Sequence, residues 1–346
     1  MLIGVLTLGY MVYGIGLDNI WRDIQKTGVW FIPVIGSWLL IYVLNAFAFD
    51  AIIEEPAIPE SNLSFWSVLK LTISGYAINY ITPFVALGGE PYRIMELKLK
   101  LGINKASSSV LLYSLMHMFS HVLFWLVSIG LILVFIPING IMLAGCGFML
   151  LVSLALGFWF VRVYKKGFTV STIKLLTKIP FINKKARAFA AEKEETLKEI
   201  DNQIRILYSD RKSRFYSSLA LEFAGRVVGC MEIYFTAVAI GLNMSVTEAL
   251  IVSSASSLFA NLIFFFPMQL GTREGGLAMA LQSVGLAASA GIFIGVVMRI
   301  REIFWIVIGL ALINKKGVKV ETPNAENQGH KELHYAHSGA QNKKAW

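Results

Sequence analysis

Two stretches of the chain share an unusual motif, in which an apolar run meets a proline, then a glycine, and then a glutamate. The first occupies residues 79–90 and the second residues 261–274. In each, the glutamate follows the proline by the same spacing, so Glu90 and Glu274 lie just beyond a break in the hydrophobic sequence. In lipid, irregular backbone is tolerated only where protein or a watery cavity surrounds it. Two broken hydrophobic segments in one chain indicate the central site of a transporter.

The composition indicates a polytopic membrane protein. Hydrophobic residues make up 56% of the chain, charged residues make up 15%, and the mean hydropathy is +0.63. A soluble domain carries about 25% charged residues, so the chain cannot be built around a large soluble core. Cys146 and Cys230 lie in apolar runs and form neither a disulfide framework nor a zinc spacing. We expect no cofactor, no bound metal and no nucleic-acid partner, and we identify no catalytic residue.

Hydropathy predicts an all-α membrane bundle with six full spans and two interrupted, re-entrant segments. The spans are at about residues 2–17, 29–53, 106–136, 141–164, 215–240 and 286–313, and the interrupted segments are 65–90 and 246–285. The first span is shorter than the ~20 residues that cross a bilayer, which suggests that the natural chain begins upstream. We predict one transmembrane domain over residues 1–313 and a polar, disordered cytoplasmic tail over residues 314–346.

The distribution of basic residues predicts the orientation. Residues 162–214 hold 14 Lys and Arg against 6 Asp and Glu. The positive-inside rule therefore places the 165–214 loop, residues 91–105 and both termini in the cytoplasm, in the plasma membrane. The two broken segments then enter from opposite faces and form an inverted repeat. A layout with residues 65–90 as a full span and the N-terminus outside stays open.

Charged residues within the predicted spans form a second group of candidates, because such residues are costly in lipid and usually face the bundle interior. Glu222 and Arg226 are spaced i,i+4 and can pair on one helix face. Arg299 and Glu302 share a face, whereas Arg301 points about 200° away from Arg299. One interpretation is a set of ion pairs that lock helices together. The other is a polar cavity in which guanidinium groups hold a phosphate.

The broken segments supply the remaining candidates. Pro83 ends or bends a helix, and the two glycines after it let the backbone turn. Glu90 and Arg93 share a face if a helix restarts at Pro91. A capped helix break without further function is the alternative. The predicted substrate-binding set is Asn79, Pro83, Gly88, Gly89, Glu90, Arg93, Glu222, Arg226, Pro267, Gly271, Arg273, Glu274, Arg299 and Glu302.

Glu90 and Glu274 occupy matching positions in oppositely inserted segments, so we expect them to approach each other near the bilayer midplane. An arginine is expected between or beside them. Such a pair would bind a cationic headgroup or carry a proton. His117 and His121 are spaced i,i+4, and we expect interhelical hydrogen bonds there because no third metal ligand is nearby. An amphipathic helix near 184–208 is expected to be a solvated topology anchor in preference to a helix on anionic headgroups.

These residues resemble a known family, the flippase-like membrane domain of lysylphosphatidylglycerol synthases. The resemblance is carried by Pro83, Gly89-Glu90-Pro91-Tyr92-Arg93, Pro267, Gly271, Glu274, Arg299, Trp305 and Gly309, and it extends to about residue 313. It implies a domain that moves an aminoacylated phospholipid across the bilayer, with links to lipid metabolism and antibiotic resistance. In the family a soluble domain after the membrane domain attaches the lysine. Only the polar stretch 314–346 follows the last span here, so the resemblance implies a stand-alone membrane domain.

The sequence therefore favours a translocator of an anionic, aminoacylated or polyprenyl-linked lipid. A lipid-modifying transferase, such as a phosphatidylglycerol lysyltransferase, is one alternative. An accessory membrane subunit of a separately encoded synthase or glycosyltransferase is another. No nucleotide-binding motif is present, so an ion gradient or the distribution of the lipid itself would supply the energy.

Overall fold

The computed structural model describes a bundle of helices and bears out the all-α class. The described residues are 13, 16–56, 58–82, 88–138, 140–166, 177, 183–192, 194–262 and 272–313. Within these ranges the chain forms helices joined by short loops, with no strand beyond a single isolated bridge. Several predicted features lie outside the described residues: Pro83, Pro267, Gly271, most of the first span and the tail 314–346.

The described residues form eleven α-helices. These are α1 (Leu17–Thr27), α2 (Phe31–Ile53), α3 (Phe65–Ile81), α4 (Gly89–Phe135), α5 (Gly140–Lys166), α6 (Asn183–Glu192), α7 (Glu194–Ser209), α8 (Lys212–Ala239), α9 (Val246–Leu262), α10 (Thr272–Ser283) and α11 (Ala288–Leu312). Short 3-10 turns at Gly28–Trp30 and Pro59–Ser61 precede α2 and α3. The helices α3 and α4 flank the first break, and α9 and α10 flank the second.

Within the described ranges, three helical stretches are long and apolar enough, by length and composition, to cross a membrane: Trp21–Ile53, Gly89–Phe135 and Leu143–Arg162. The helices α8 and α11 are similarly long, at 28 and 25 residues, but each carries three charged residues in its middle part. Those charges are directed inward, whereas large apolar side chains cover much of the outer surface. A polar interior beneath an apolar exterior is the arrangement expected of a protein whose solvent is lipid.

The helices α2 and α8 cross at a point where contacts recur with a constant sequence offset. A Cβ at Gly225 would lie 3.1 Å from Asn45 Oδ1, and a Cβ at Gly229 would lie 3.8 Å from Ile41 Cδ1. The separation along the chain between Ile41 and Gly225 equals that between Asn45 and Gly229. Ile41 and Gly225 are therefore equivalent positions, and so are Asn45 and Gly229. Replacing each residue by its equivalent converts the contact of Asn45 with Gly225 into the contact of Gly229 with Ile41. The earlier residue of α2, Ile41, contacts the later residue of α8, Gly229, so the two helices are antiparallel.

The same offset relates the contacts made by α3 and α9. The Ser257 hydroxyl on α9 accepts a hydrogen bond from Trp125 Nε1 at 3.0 Å. A Cβ at Gly309 would lie 2.9 Å from the carbonyl oxygen of Ile73 on α3. Ile73 and Ser257 are separated in the chain by this same offset, and so are Trp125 and Gly309. The two proline and glutamate motifs are also separated by it. The chain is thus an internal duplication whose halves are inverted, as the sequence predicted.

A glycine with positive φ follows the restarted helix in both halves. Gly102 interrupts α4 at φ 73°, and Gly285 follows α10 at φ 80°. Glycine adopts this backbone conformation without the steric cost that a Cβ brings. The predicted span 106–136 is therefore the second part of α4, joined through Gly102 to the helix that begins at Gly89.

The amphipathic helix predicted near residues 184–208 is divided into α6 and α7. Ile200, Ile204 and Leu207 of α7 are buried in the same apolar core as residues of α4. Gln203 also accepts a hydrogen bond from Lys105 of α4 at 3.4 Å. The apolar face of α7 is thus covered by protein and not by lipid headgroups.

Candidate functional site

A cavity of about 510 Å³ lies between the helices that flank the two breaks. Its lining includes aromatic side chains, several serines, His117 and His121. The charged members of the lining are Glu90, Arg93, Arg226, Arg273, Arg301 and Glu302. Five of these six, together with Asn79, belong to the predicted substrate-binding set. The other described members of that set lie outside the lining: Gly88, Gly89, Glu222, Glu274 and Arg299.

The first break is closed by a side chain from the preceding helix. Asn79 Oδ1 accepts a hydrogen bond from the backbone N–H of Gly89 at 2.6 Å, which satisfies one free donor at the start of α4. Its Nδ2 donates to Glu90 Oε1 at 3.4 Å. A Cβ at Gly89 would lie 2.2 Å from the carbonyl oxygen of Gly75, so only glycine fits there. The helix break is therefore capped, and Glu90 beyond it lines the cavity.

Arg93 is buried with only weak polar contacts. Its side chain is 2% exposed, and its Nη1 lies 3.6 Å from Glu90 Oε1. Its Nη2 is 3.5 Å from the carbonyl oxygen of Thr72. The guanidinium lies over the rings of two tyrosines, with its carbon 5.0 and 5.3 Å from their centroids. A Cβ at Gly75 would lie 2.3 Å from Arg93 Nε, so the glycine makes room for this charge.

In the second half, both predicted charges of α10 bind partners on α11. Arg299 Nε donates to Glu274 Oε1 at 2.7 Å, and its Nη2 donates to Oε2 at 3.3 Å. Gly295 allows this approach, because a Cβ there would lie 2.8 Å from Glu274 Cγ. Arg273 donates to Glu302. Glu274 is thus engaged by an arginine outside the cavity lining, whereas its counterpart Glu90 lines the cavity.

The most deeply buried ion pair of the described part of the chain involves residues outside the predicted set. Arg301 donates to both oxygens of Glu232, at 2.7 and 2.8 Å. Both side chains are 1% exposed. Trp38 Nε1 donates to the same carboxylate at 2.8 Å, and the Arg301 guanidinium lies 3.6 Å from the Trp38 ring centroid. The signal was present in the sequence, since Arg301 points away from Arg299 and Glu232 is a charge within a span.

The sequence predicted that Glu222 and Arg226 can pair directly, but His117 lies between them. His117 Nδ1 is 2.8 Å from Glu222 Oε2, and its Nε2 is 2.7 Å from Arg226 Nη2. These neighbours favour a neutral imidazole that carries its proton on Nδ1, because Nε2 must accept from a cation. Arg226 Nε also donates to Ser120 Oγ at 3.2 Å. The predicted interhelical hydrogen bond of His117 is confirmed.

The charged groups of the cavity are arginines and glutamates. Among the described residues, no cluster of three or more His, Cys, Asp or Glu is arranged to hold a metal ion. The arginines are held by carboxylates or by neutral acceptors, and hydrogen bonds that involve a charged group are stronger than neutral ones. The arrangement can bind and orient a polar, charged group.

The fold and the apolar helices together define a polytopic membrane-embedded protein, and its helix bundle contains a charged cavity. The family model described as "Lysylphosphatidylglycerol synthase TM region" matches residues 1–311. The chain therefore belongs to the family of lysylphosphatidylglycerol synthase transmembrane regions, as its motifs indicated, and its role is related to membrane lipid. No curated protein and no solved structure matches the chain.

Proposed function

We propose that the chain moves a phospholipid between the leaflets of a membrane, with the headgroup passing through the charged cavity. The observation that carries the proposal is the cavity, which places four arginines and two glutamates inside an apolar bundle. A charge within the bilayer costs about 2.5–3.5 kcal/mol on insertion scales, so such residues mark a path for polar groups. The acyl chains would stay among the apolar side chains outside.

Arg226 is the residue best placed to receive a phosphodiester. Among the described residues, no carboxylate lies within ion-pair distance of its guanidinium. Its contacts are the neutral groups His117 and Ser120. A guanidinium presents a fork of donors that fits two phosphate oxygens, so Arg226 can bind a phosphate without first breaking an ion pair.

The inverted repeat supports a transport cycle in which the site faces each side of the membrane in turn. In such proteins the site lies between the repeats, and rocking of one repeat against the other exchanges its access. The sequence contains no nucleotide-binding motif, so a gradient or the lipid's own distribution would drive movement. The lipid would be anionic, aminoacylated or polyprenyl-linked, and a separately encoded synthase would supply a modified lipid.

The proposed location is the plasma membrane, with both termini and the 165–214 loop in the cytoplasm. The support is the basic character of that loop. Single cysteines at positions 58–62 in a chain without Cys146 and Cys230 test the layout with a membrane-impermeant thiol reagent. Labelling from the cytoplasmic side alone is expected. Labelling from outside would remove the proposed orientation of the first repeat.

The experiment that tests transport uses purified full-length chain in proteoliposomes. Lipids carry a fluorophore on the acyl chain, so that the headgroup is intact, and a reductant quenches only the outer leaflet. We expect quenching beyond the level of protein-free vesicles. Arg226→Gln should slow the protein-dependent quenching about 10-fold, because it removes one charge-assisted hydrogen bond to the phosphate. Arg162→Gln, at an exposed position on α5, is the matched control and should transport normally.

The description of the family as a synthase favours one alternative, a lipid-modifying enzyme. The same vesicles decide it, because mass spectrometry of the recovered lipid detects an added group. Unchanged lipid together with protein-dependent quenching supports translocation. A change of lipid mass without excess quenching would support the transferase, and quenching equal to that of empty vesicles would end the translocator proposal.

A further inference from the structure

Several buried polar atoms in the cavity lining have no hydrogen-bond partner among the described residues. They are Glu90 Oε2, Arg93 Nε, Ser114 Oγ, His121 Nδ1 and Arg301 Nη1. Both arginine side chains are more than nine-tenths buried. About 90% or more of buried polar groups in proteins have a partner, so a cluster of exceptions in one cavity marks the surface that a ligand contacts.

The unpartnered charged atoms have opposite charges and line the same cavity. Glu90 Oε2 belongs to a carboxylate and can only accept, whereas Arg93 Nε and Arg301 Nη1 belong to guanidinium groups and can only donate. The other Glu90 oxygen is 3.6 Å from Arg93 Nη1, so an acceptor for a cation and a donor for an anion are neighbours. One compact ligand carrying both charges would satisfy them together.

The charges around the cavity are balanced. Each arginine of the lining has a carboxylate counterpart: Arg93 with Glu90, Arg273 with Glu302, Arg301 with Glu232, and Arg226 with Glu222 through His117. A ligand with a net charge would leave that charge uncompensated in a low-dielectric interior, which is costly. A ligand whose own charges cancel avoids that cost.

We infer that the cavity selects a zwitterionic phospholipid headgroup, with one ammonium group and one phosphodiester, over anionic headgroups and over headgroups with two ammonium groups. The ammonium donates to Glu90 Oε2. The phosphodiester accepts from Arg226, as proposed above, and from the unpartnered donors of Arg93 and Arg301. The inference rests on the proposed function and narrows it. It removes anionic lipids from the classes named above and keeps those lipids, aminoacylated ones included, whose headgroup carries one ammonium and one phosphodiester.

Binding of soluble headgroup analogues to the purified full-length chain in detergent tests the inference by titration calorimetry. Glycerophosphoethanolamine is expected to bind about 10-fold more tightly than glycerophosphoglycerol, which lacks the ammonium. Glycerophosphocholine keeps both charges but has no N–H to donate to Glu90, so its affinity should fall between the two. Tighter or equal binding of glycerophosphoglycerol or inorganic phosphate would overturn the inference.

The Glu90→Gln variant assigns the preference to its carboxylate. It should weaken the binding of glycerophosphoethanolamine, so that the affinities for this compound and for glycerophosphoglycerol come within about 3-fold of each other. Glu96→Gln, on the same helix but outside the lining, should leave the ratio unchanged. If Glu90→Gln does not fold, Glu90→Asp keeps the charge, withdraws it by one methylene and should also lower the ratio. An unchanged ratio in the folded variant would overturn the inference.

The vesicle assay separates failure of the inference from failure of the proposed function. If the chain binds zwitterionic headgroups preferentially but moves no lipid, the proposed translocation is wrong and the inferred headgroup site stands. Lipid movement that favours phosphatidylglycerol, or a lipid with two ammonium groups, over phosphatidylethanolamine would overturn the inference and keep the translocator.

Discussion

His117 and Arg301 occupy equivalent positions in the two halves of the chain, and both bind a glutamate of α8. They are related by the sequence offset that separates Glu90 from Glu274. His117 contacts Glu222 at 2.8 Å, and Arg301 contacts Glu232 at 2.7 Å. The inverted repeat therefore relates the positions of these residues in the two halves, but the residues at equivalent positions differ in type and charge. The helix α8 supplies carboxylates to both halves, and its counterpart α2 supplies Trp38 at the position equivalent to Glu222.

This asymmetry makes α8 the helix on which the site depends. We predict that Glu232→Gln strongly destabilises the protein, because it leaves the buried Arg301 without its counter-charge. Breaking a buried pair by removing one partner costs about 3–5 kcal/mol. Thermal unfolding in detergent, followed by size exclusion, should show a large fall in the midpoint. Glu60→Gln, at an exposed position in the 3-10 turn Pro59–Ser61, is the control.

Removal of both charges provides the counter-test. Glu232→Gln combined with Arg301→Gln leaves no uncompensated charge and should recover part of the lost stability. A double variant that is less stable than the single one would show that the arginine is held by its Trp38 contact and not by the carboxylate.

His117 is predicted to act as a neutral bridge. In His117→Gln the amide can donate to Glu222 and accept from Arg226, so stability should change by less than about 1 kcal/mol. His117→Leu removes both bonds and leaves Glu222 buried without this donor, which should cost about 1–3 kcal/mol or more. The thermal midpoints of the two variants should be measured, with His121→Leu as the comparison. Equal losses for Gln and Leu would show that the ring shape matters and the bridge does not.

The sequence was sufficient for the features that local chemistry determines. The prolines, glycines and glutamates of the two breaks predicted the duplication, and Asn79 and Glu90 were recognised because they flank a break. Arg301 and Glu232 were missed because their pairing depends on how α8 and α11 rotate against each other. These residues are separated by 69 positions in the chain, and no local periodicity encodes that rotation.

The Glu222 and Arg226 prediction was incorrect in detail for a similar reason. Their i,i+4 spacing permits a direct pair, and the rule for helix surfaces assumes that solvent fills the remaining space. In the bundle the neighbouring helix α4 presents His117, whose two ring nitrogens contact both side chains at once. The spacing of His117 and His121 predicted an interhelical hydrogen bond, but no pattern in the sequence identifies the partners of His117.

The close approach of α3 and α4 predicts a strong effect of adding one methyl group. Gly89→Ala should destabilise the first break, because a Cβ would lie 2.2 Å from the Gly75 carbonyl oxygen. Overpacking of this kind costs about 1–3 kcal/mol. Gly145→Ala is the matched control, since nothing lies within 4 Å of a Cβ there. Equal thermal midpoints for the two variants would contradict the packing of this break.

The pair of Glu54 and Arg214, at the ends of α2 and α8, predicts a pH dependence outside the apolar spans. Arg214 Nη1 donates to Glu54 Oε2 at 2.5 Å, and this hydrogen bond holds the pKa of Glu54 below its ordinary value of 4.5. A carboxyl whose pKa is lower in the folded state stabilises the fold above its ordinary pKa, and that stabilisation is lost as the pH falls through the folded value. Wild-type chain should therefore lose stability relative to Glu54→Gln only below about pH 4.5. Because both side chains are one-third exposed, the effect should be small and should weaken further in high salt. Thermal midpoints measured across this range at two salt concentrations check this, and parallel curves for the two proteins would show that the pair contributes nothing.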